Sequence, residues 1–478
     1  MEWIEQIELR RGGPLVPQLV EAIRWRIAAG ELAPGLRMPT VDALSKKLQV
    51  SRLTILRTYR QLEQAGLIET NFGGGTVVTG RMDRDRAVQF LNKLPQQGLI
   101  PNFESVSNYA SVCSLATALP DPKLLSMDEF GYALQRIPNM NPWALYLPPA
   151  QGFPELQRAA VPFLEPLVPG VESSQICVTA GSTAGLLVAI DEAVDERRRV
   201  GFLTPSGMLI PSGGGIHYSM IPLRESLLNH ASLATELAEA DISALVISST
   251  AHIIHGTSYG PDRLERLIAA CQVLNIQIID HLPNGRYQGE DSSPCVTAAS
   301  LSSKIVTNVG LDSHCCAGLG LGFLVAPPAF RKGIGQRQFL ASMGISALLQ
   351  QIAIGLLQDG AIERMLRRLT RITRDRRLSL LGACSIHLEP LGCRWQTPDS
   401  GLSMCIRLPE GASSSVLFEA CLARGVAILP GVQIACDEPE RYIRLSASMQ
   451  PADAIREGVR VIAECLRTQL SPLRKSAP

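Results

Sequence analysis

"PTVDALSKKLQVSRLTILRTYRQLEQAGLIETNFGGGTVV", residues 39–78, holds two short amphipathic segments, a tight turn and a glycine-rich hairpin. Thr40 stands where a hydroxyl can accept a free first-turn amide, so a helix is expected from there to about Leu48. Gln49-Val50 is the expected turn, and Ser51 caps the next helix. On that helix Ile55, Tyr59 and Leu62 recur at helical spacing and face inward. Arg52, Thr54, Arg57 and Arg60 are left on the other side. An apolar stripe that docks a helix, with hydrogen-bonding and basic residues near its N-terminus, is what a groove-reading helix must present. Leu67–Thr70 and Thr76–Thr79 read as a two-stranded wing around Phe72-Gly73-Gly74-Gly75, whose glycines allow close approach to a phosphate.

Composition sets the outer bounds. The chain has 478 residues, enough for two or three domains, and a formal net charge of +1, so no overall polyanion-binding character. Charge is local: from Met1 to Arg86, 13 Lys/Arg stand against 10 Asp/Glu. No apolar run of spanning length and no secretion signal is seen. The 12 Cys are scattered and form no disulfide framework, so reduced thiols and a bacterial cytoplasm are expected.

Along the chain, residues 1–80 are expected to form the winged-helix head and 81–111 a linker, with a short helix at Ala87–Leu94. From about residue 112 to 472 the pattern changes. Apolar runs at Ile176–Val178, Val200–Leu203, Ala244–Ile247, Ile276–Ile279, Ile305–Val309 and Gly322–Val325 alternate with helical stretches. That predicts an α/β domain with a mostly parallel sheet. From Cys384 a smaller α+β lobe is expected, with "GVAILPG" and "RYIRLSAS" as strands and Asp453–Gln469 as the last helix.

The head resembles the winged helix-turn-helix of the GntR superfamily, through "RIAAGELAPGLRMPT", "VSRLTILRTYRQLEQAGLI" and "GGGT". The resemblance implies DNA contacts from Arg37, Thr40, Ser51, Arg52, Thr54, Arg57, Gly73, Gly75 and Thr76. Leu53 and Leu56 depart from it, since polar residues are common there, as does Gly74, where a basic wing residue is common. The large domain resembles fold-type I aminotransferases through "LATALPDPKLLSMDEF", "AQGFPELQRAAVPFL", "ICVTAGSTAGL", "GPDRLERLIAACQVLNIQIID", "GLGLGFLVAPP" and "YIRLSAS". The whole chain is similar to the MocR-like branch of GntR regulators. That implies pyridoxal phosphate as the family cofactor, a small-molecule effector, a homodimer and a double-stranded DNA operator.

Carried over residue by residue, the cofactor site is rewritten. A Schiff base needs a lysine amine, and the lysine position is Ser313. Asp312 falls on a phosphate-binding serine, Gly320 on the phosphate arginine, His281 on the partner of the pyridine nitrogen and Gly207 on the stacking tyrosine. Lys304 serves as a rival Schiff-base residue only if extra residues are accommodated before "GLGLGFLVAPP". Only the turn with Ser182 and Thr183 keeps the makings of a phosphate site. Arg444, in the "YIRLSAS" strand, matches the arginine that holds a substrate carboxylate, so a carboxylate effector is expected. No cofactor and no catalytic residue are expected. His252, His255, His281, His314 and Cys315 fall near the former cofactor site. They read either as packing or as metal or thiol ligands. The alternatives to a regulator without transaminase activity are an aminotransferase with an appended DNA-binding head and a metal- or thiol-sensing regulator.

Overall fold

The computed structural model describes residues 4, 15–28, 32, 35–64, 67–71, 75–78, 113–135, 146–204, 218–288, 305–342, 344–434 and 437–474. The chain divides into two compact units, residues 1–114 with 419–427 and residues 115–418 with 428–478. The expected linker, 81–111, and its helix Ala87–Leu94 lie outside the described residues.

In the first unit, helix α1 spans Leu15–Ala28, α2 Val41–Leu48 and α3 Arg52–Gln64. Strands β1 (Ile68–Asn71) and β2 (Gly75–Val78) form an antiparallel hairpin, Ile68 opposite Val78. Thr40 caps α2, its Oγ1 accepting from the Ala43 amide at 3.2 Å. The helix ends at Gln49, which adopts a left-handed φ of 54°. Ser51 Oγ accepts from the Thr54 amide at 3.1 Å at the start of α3. Leu19, Ile23, Leu44, Ile55, Tyr59, Leu62, Leu67, Ile68 and Val78 form one buried cluster. Burial of this stripe, rather than helix propensity, holds three short helices together. Tyr59 adds a tie, its hydroxyl donating to the Pro39 carbonyl at 2.7 Å.

The second unit is built on a seven-stranded sheet. Its strands are β4 (Ile176–Thr179), β5 (Arg199–Thr204), β6 (Ser219–Arg224), β7 (Ala244–Ile247), β8 (Gln277–His281), β9 (Ile305–Gly310) and β10 (Gly322–Val325), β3 being a two-residue strand, Cys113–Ser114, of the first unit. The order is β4-β10-β9-β8-β7-β5-β6, and only β10 runs against its neighbours. The strands are buried on both faces, hence continuous apolar runs. Helices Pro154–Leu164, Ala347–Gln358, Leu233–Ala240 and Pro261–Val273 pack on one face. Helices Ser182–Ala193 and Pro328–Ser342 pack on the other.

A smaller four-stranded antiparallel sheet has the order β11-β12-β15-β14. Here β11 is Arg394–Trp395, β12 Ser403–Arg407, β14 Leu429–Pro430 and β15 Tyr442–Ser446, while β13 (Val426–Ala427) pairs with β3. The expected last helix is longer than its apolar pattern, Ala452–Arg474. Strands β6 and β12 were not among the expected ones. β6 is a half-exposed edge strand with Pro222 in it, and its alternation is too weak to read. A buried pair ties this unit together: Arg376 donates to Asp121 at 3.1 Å and also to the Ser448 carbonyl. No helix among the described residues is long and apolar enough to cross a membrane.

Candidate functional site

On the head, α3 exposes Arg52, Leu53, Leu56, Arg57 and Arg60, while Ile55, Thr58 and Tyr59 are buried. Arg52 is paired with Asp42 of α2 at 2.8 Å, both side chains open to solvent. Thr54 is half-buried, and its hydroxyl lies 2.8 Å from that of Ser51. Arg37 lies against the wing and forms an isolated bridge to Val77. Gly75 has φ +83°, and a Cβ there would come within 2.9 Å of the Arg37 guanidinium. That close approach explains a glycine at this wing position. The hydroxyls of Thr70 and Thr76 are 3.3 Å apart across the hairpin. Gly73 lies outside the described residues. The other expected contact residues therefore sit on α3 and its cap Ser51, at the α2 cap Thr40, and at the wing with Arg37.

In the large domain, β4, β5, β7, β8 and β9 all end on the same edge of the sheet. In open α/β sheets ligands bind outside such carboxyl ends. Gly181, at φ +90°, turns the chain from β4 into the helix Ser182–Ala193. The free amides at the mouth of that helix suit an anion, and an anion is there. Asp312 accepts from the Ser182 amide at 3.0 Å and from the Ser313 amide at 2.7 Å. The fit is close: a Cβ on Gly181 would come within 2.4 Å of Asp312 Oδ2. Burial raises the Asp312 pKa, against the lowering effect of its hydrogen bonds to Ser182 and Ser313. The turn expected to remain open to a phosphate thus has its first amide taken by the chain's own carboxylate. Ser313 is buried, its hydroxyl donating to the Gly310 carbonyl at 3.3 Å.

Asn308 joins the next pieces. Its amide group donates to the Ser182 carbonyl at 2.7 Å and to His281 Nδ1 at 2.9 Å. Burial holds the His281 imidazole down at about 4, so the ring is neutral at pH 7. Asp280, on the opposite face of the same strand, accepts from the Ser249 amide at 2.9 Å and from its hydroxyl. His252 and His255 stack with ring centroids 3.9 Å apart. His255 Nε2 lies 3.1 Å from Glu225, and its Nδ1 lies 2.6 Å from the Thr257 hydroxyl. Burial, then the charges of His255 and His281, push the His252 pKa well down.

The alternative reading of these residues as metal ligands finds no assembled set. Among the described residues no three His, Cys, Asp or Glu side chains are arranged to hold a metal ion. His314 has both ring nitrogens engaged, Nε2 accepting from the Arg286 amide at 3.0 Å and Nδ1 bonded to the Gly310 carbonyl. It packs edge-on to Phe163, and Cys315 belongs to the adjoining apolar core. Burial pushes the Cys315 thiol well up, away from the thiolate a metal or sensor site needs. Their place in the resemblance grouped these residues, and core packing draws His314 and Cys315 away. Lys304 and Gly207 lie outside the described residues.

Arg444 is fully buried and donates to the Ala116 carbonyl. It stands opposite Cys405 of β12, and Tyr442 shares its face of the strand. Cys405 and Tyr442 line a cavity of about 500 Å³, with Trp395, His255 and the arginines Arg224, Arg394 and Arg407 also in its wall. Arg224 pairs with Asp437 at 2.8 Å and Arg407 with Glu438 at 2.8 Å. This cavity was missed at the sequence level because its arginines come from three separate strands.

Comparison with known proteins follows the same division. Residues 15–78 match the model of bacterial regulatory proteins, gntR family. The probable rhizopine catabolism regulatory protein MocR of Rhizobium meliloti is 24% identical, over 93% of this chain and 92% of that one. The HTH-type pyridoxine biosynthesis transcriptional regulator PdxR of Corynebacterium glutamicum is 26% identical, over 75% and 76%. Among solved structures, the α-aminoadipate aminotransferase LysN of Thermus thermophilus, complexed with N-(5'-phosphopyridoxyl)-L-leucine, superimposes with a TM-score of 0.66 at 22% identity, covering 76% of this chain and 94% of that one. A gntR-family winged helix at residues 15–78, an aminotransferase-like α/β fold and relatives that span both make the chain similar to MocR-like GntR regulators.

Proposed function

We propose that the protein is a DNA-binding transcriptional regulator whose large domain binds a small-molecule effector without Schiff-base chemistry. The observation that carries the second half is the Asp312 carboxylate seated on the Ser182 and Ser313 amides. Pyridoxal phosphate does not fit these residues. Its phosphate would meet a buried carboxylate instead of free amides, and Ser313 offers no amine. A second anion beside a buried one is strongly disfavoured. No transamination step is therefore derived for this chain.

Arg37, Arg52, Arg57, Thr40 and Thr76 supply the phosphate and base contacts. Arg52 exchanges its exposed pairing with Asp42 for DNA, at small cost, since exposed ion pairs contribute little. The effector site is the cavity beside β12 and β15. Its wall sets Arg224, Arg394 and Arg407 beside Glu225, Asp437 and Glu438, which suits an effector carrying both a carboxylate and a cationic group. Effector binding shifts the balance between arrangements of a dimer and so the spacing of its two reading heads.

Two measurements test this. Arg52→Ala or Arg57→Ala weakens operator binding by about 1–3 kcal/mol. Unchanged affinity in both would refute the orientation of α3. The purified protein is colourless near the visible and gives no borohydride-trapped pyridoxal adduct in the large domain. A stoichiometric adduct, at Lys304 above all, would restore the aminotransferase reading.

A further inference from the structure

Among the described residues, two leucines of α3 stand outside the buried cluster of the head. The buried stripe is complete without them, being formed by Ile55, Thr58, Tyr59 and Leu62. Leu53 and Leu56 lie outside it, 57% and 41% exposed. Single exposed leucines are ordinary on a protein surface. These two stand at i and i+3, so they adjoin one another on the helix surface. Arg57 and Arg60 continue the same exposed side. Leu53 is the second residue of α3, in the turn that enters the major groove in helix-turn-helix proteins. In that turn Leu53 is the one exposed apolar side chain, set between Arg52 and Thr54.

We infer that Leu53 and Leu56 read the 5-methyl groups of pyrimidines, thymine above all, in the major groove. This rests on the reading of α3 as the DNA-facing helix. The occupant follows from the surroundings. An apolar pair beside arginines requires a partner that is anionic overall but carries an apolar point at a fixed place. The thymine methyl is the one apolar group on the major-groove edge of a base pair. Cytosine presents a donor there and no methyl, so the pair discriminates T from C by contact. The operator half-site therefore holds a thymine at the position facing each leucine, flanked by the guanines or phosphates that Arg52 and Arg57 contact.

The test begins with selection of the bound duplex from a random pool by the full-length protein. Each thymine of the selected half-site is then replaced by deoxyuridine, which removes the methyl and keeps every hydrogen bond. One or two positions should weaken binding about three- to tenfold, the scale of one buried methyl group. In Leu53→Ser and Leu56→Ser those penalties should vanish, one position for each variant. Binding to unrelated duplex and its salt dependence should stay at the parent level, which also shows that the variants fold. Replacing cytosine by 5-methylcytosine at a T→C operator change should recover part of the lost affinity. Full tolerance of deoxyuridine at every position, or penalties that persist in both serine variants, would overturn the inference. Failure to select any duplex would instead overturn the DNA-facing reading of α3, and the inference with it.

Discussion

At the scale of a single side chain, Asp312 occupies the helix mouth at Ser182. A carboxylate on two main-chain amides at a helix mouth does locally what a phosphate would do, neutralising the positive end of the helix dipole. Burial nevertheless raises its pKa, so the charged form is held against its own desolvation. Asp312→Ser should free the Ser182 and Ser313 amides while keeping the turn through Gly310 and Gly181. Inorganic phosphate should then stabilise the variant against heat and leave the parent unchanged. At ten times its dissociation constant a ligand adds ~1.4 kcal/mol, enough for a visible shift in Tm. An equal shift in parent and variant would mean that the parent cradle is open.

At the scale of elements, the head depends on two features of different kinds. Ile55 is fully buried at the junction of α3 with the rest of the cluster, and Ile55→Ala should destabilise the head by about 2–5 kcal/mol through lost burial and the cavity left behind. Gly75 supports the wing through its backbone. At φ +83°, and with the Arg37 guanidinium 2.9 Å from any Cβ, Gly75→Ala forces both strain and displacement of Arg37. The left-handed backbone alone costs about 1–2 kcal/mol for a residue with a Cβ. Denaturant unfolding of the isolated transition of the head, followed with operator binding, separates the two: Ile55→Ala moves stability foremost, while Gly75→Ala should lower DNA affinity even where the head remains folded.

For the whole molecule, buried histidines set the response to acid. His252, His281 and His314 are all buried, and burial lowers each pKa, to about 4 for His281 and about 3 for His314. Their unfolded values lie near 6.5. The unfolded chain therefore binds more protons below pH 6.5, and stability falls as pH drops from about 6.5 toward 4, by about 1.4 kcal/mol per pH unit for each such group. Above pH 6.5 this contribution is fully present. Asp312, with its raised pKa, works in the opposite sense, gaining stability as pH falls through its folded-state value. Thermal melts between pH 7.5 and 4.5 should show a steep decline, and His281→Gln should flatten it. A Tm independent of pH over that window would contradict the neutral, buried assignment. The same preparation should behave as a dimer by light scattering at micromolar concentration, since one winged helix spans too few base pairs for selective binding. A monomer with full operator affinity would contradict that.

The sequence alone determined what depends on local spacing. Residues 39–78 carry caps, turn and apolar stripe within one short window, so α2, α3 and the wing were legible residue by residue. The buried strands were legible as well, because a strand covered on both faces writes an unbroken apolar run. Edge strand β6 was not, since a half-exposed strand has no such run, and neither was β12, whose buried Met404 and Ile406 are interrupted by Ser403, Cys405 and Arg407. What only the tertiary structure decided is where distant residues meet. Asp312 reaches Ser182 across 130 positions, and Arg224, Arg394 and Arg407 meet round one cavity from three strands. Of the residues that stood together as a possible metal set, His252 and His255 stack on one another, while His314 packs against Phe163 and Cys315 joins the apolar core. Motif and period travel along the chain and can be read there. Burial, hydrogen-bond partnership and the occupant of a helix mouth are properties of groups brought together in space, and they exist only once the sheet has closed around them.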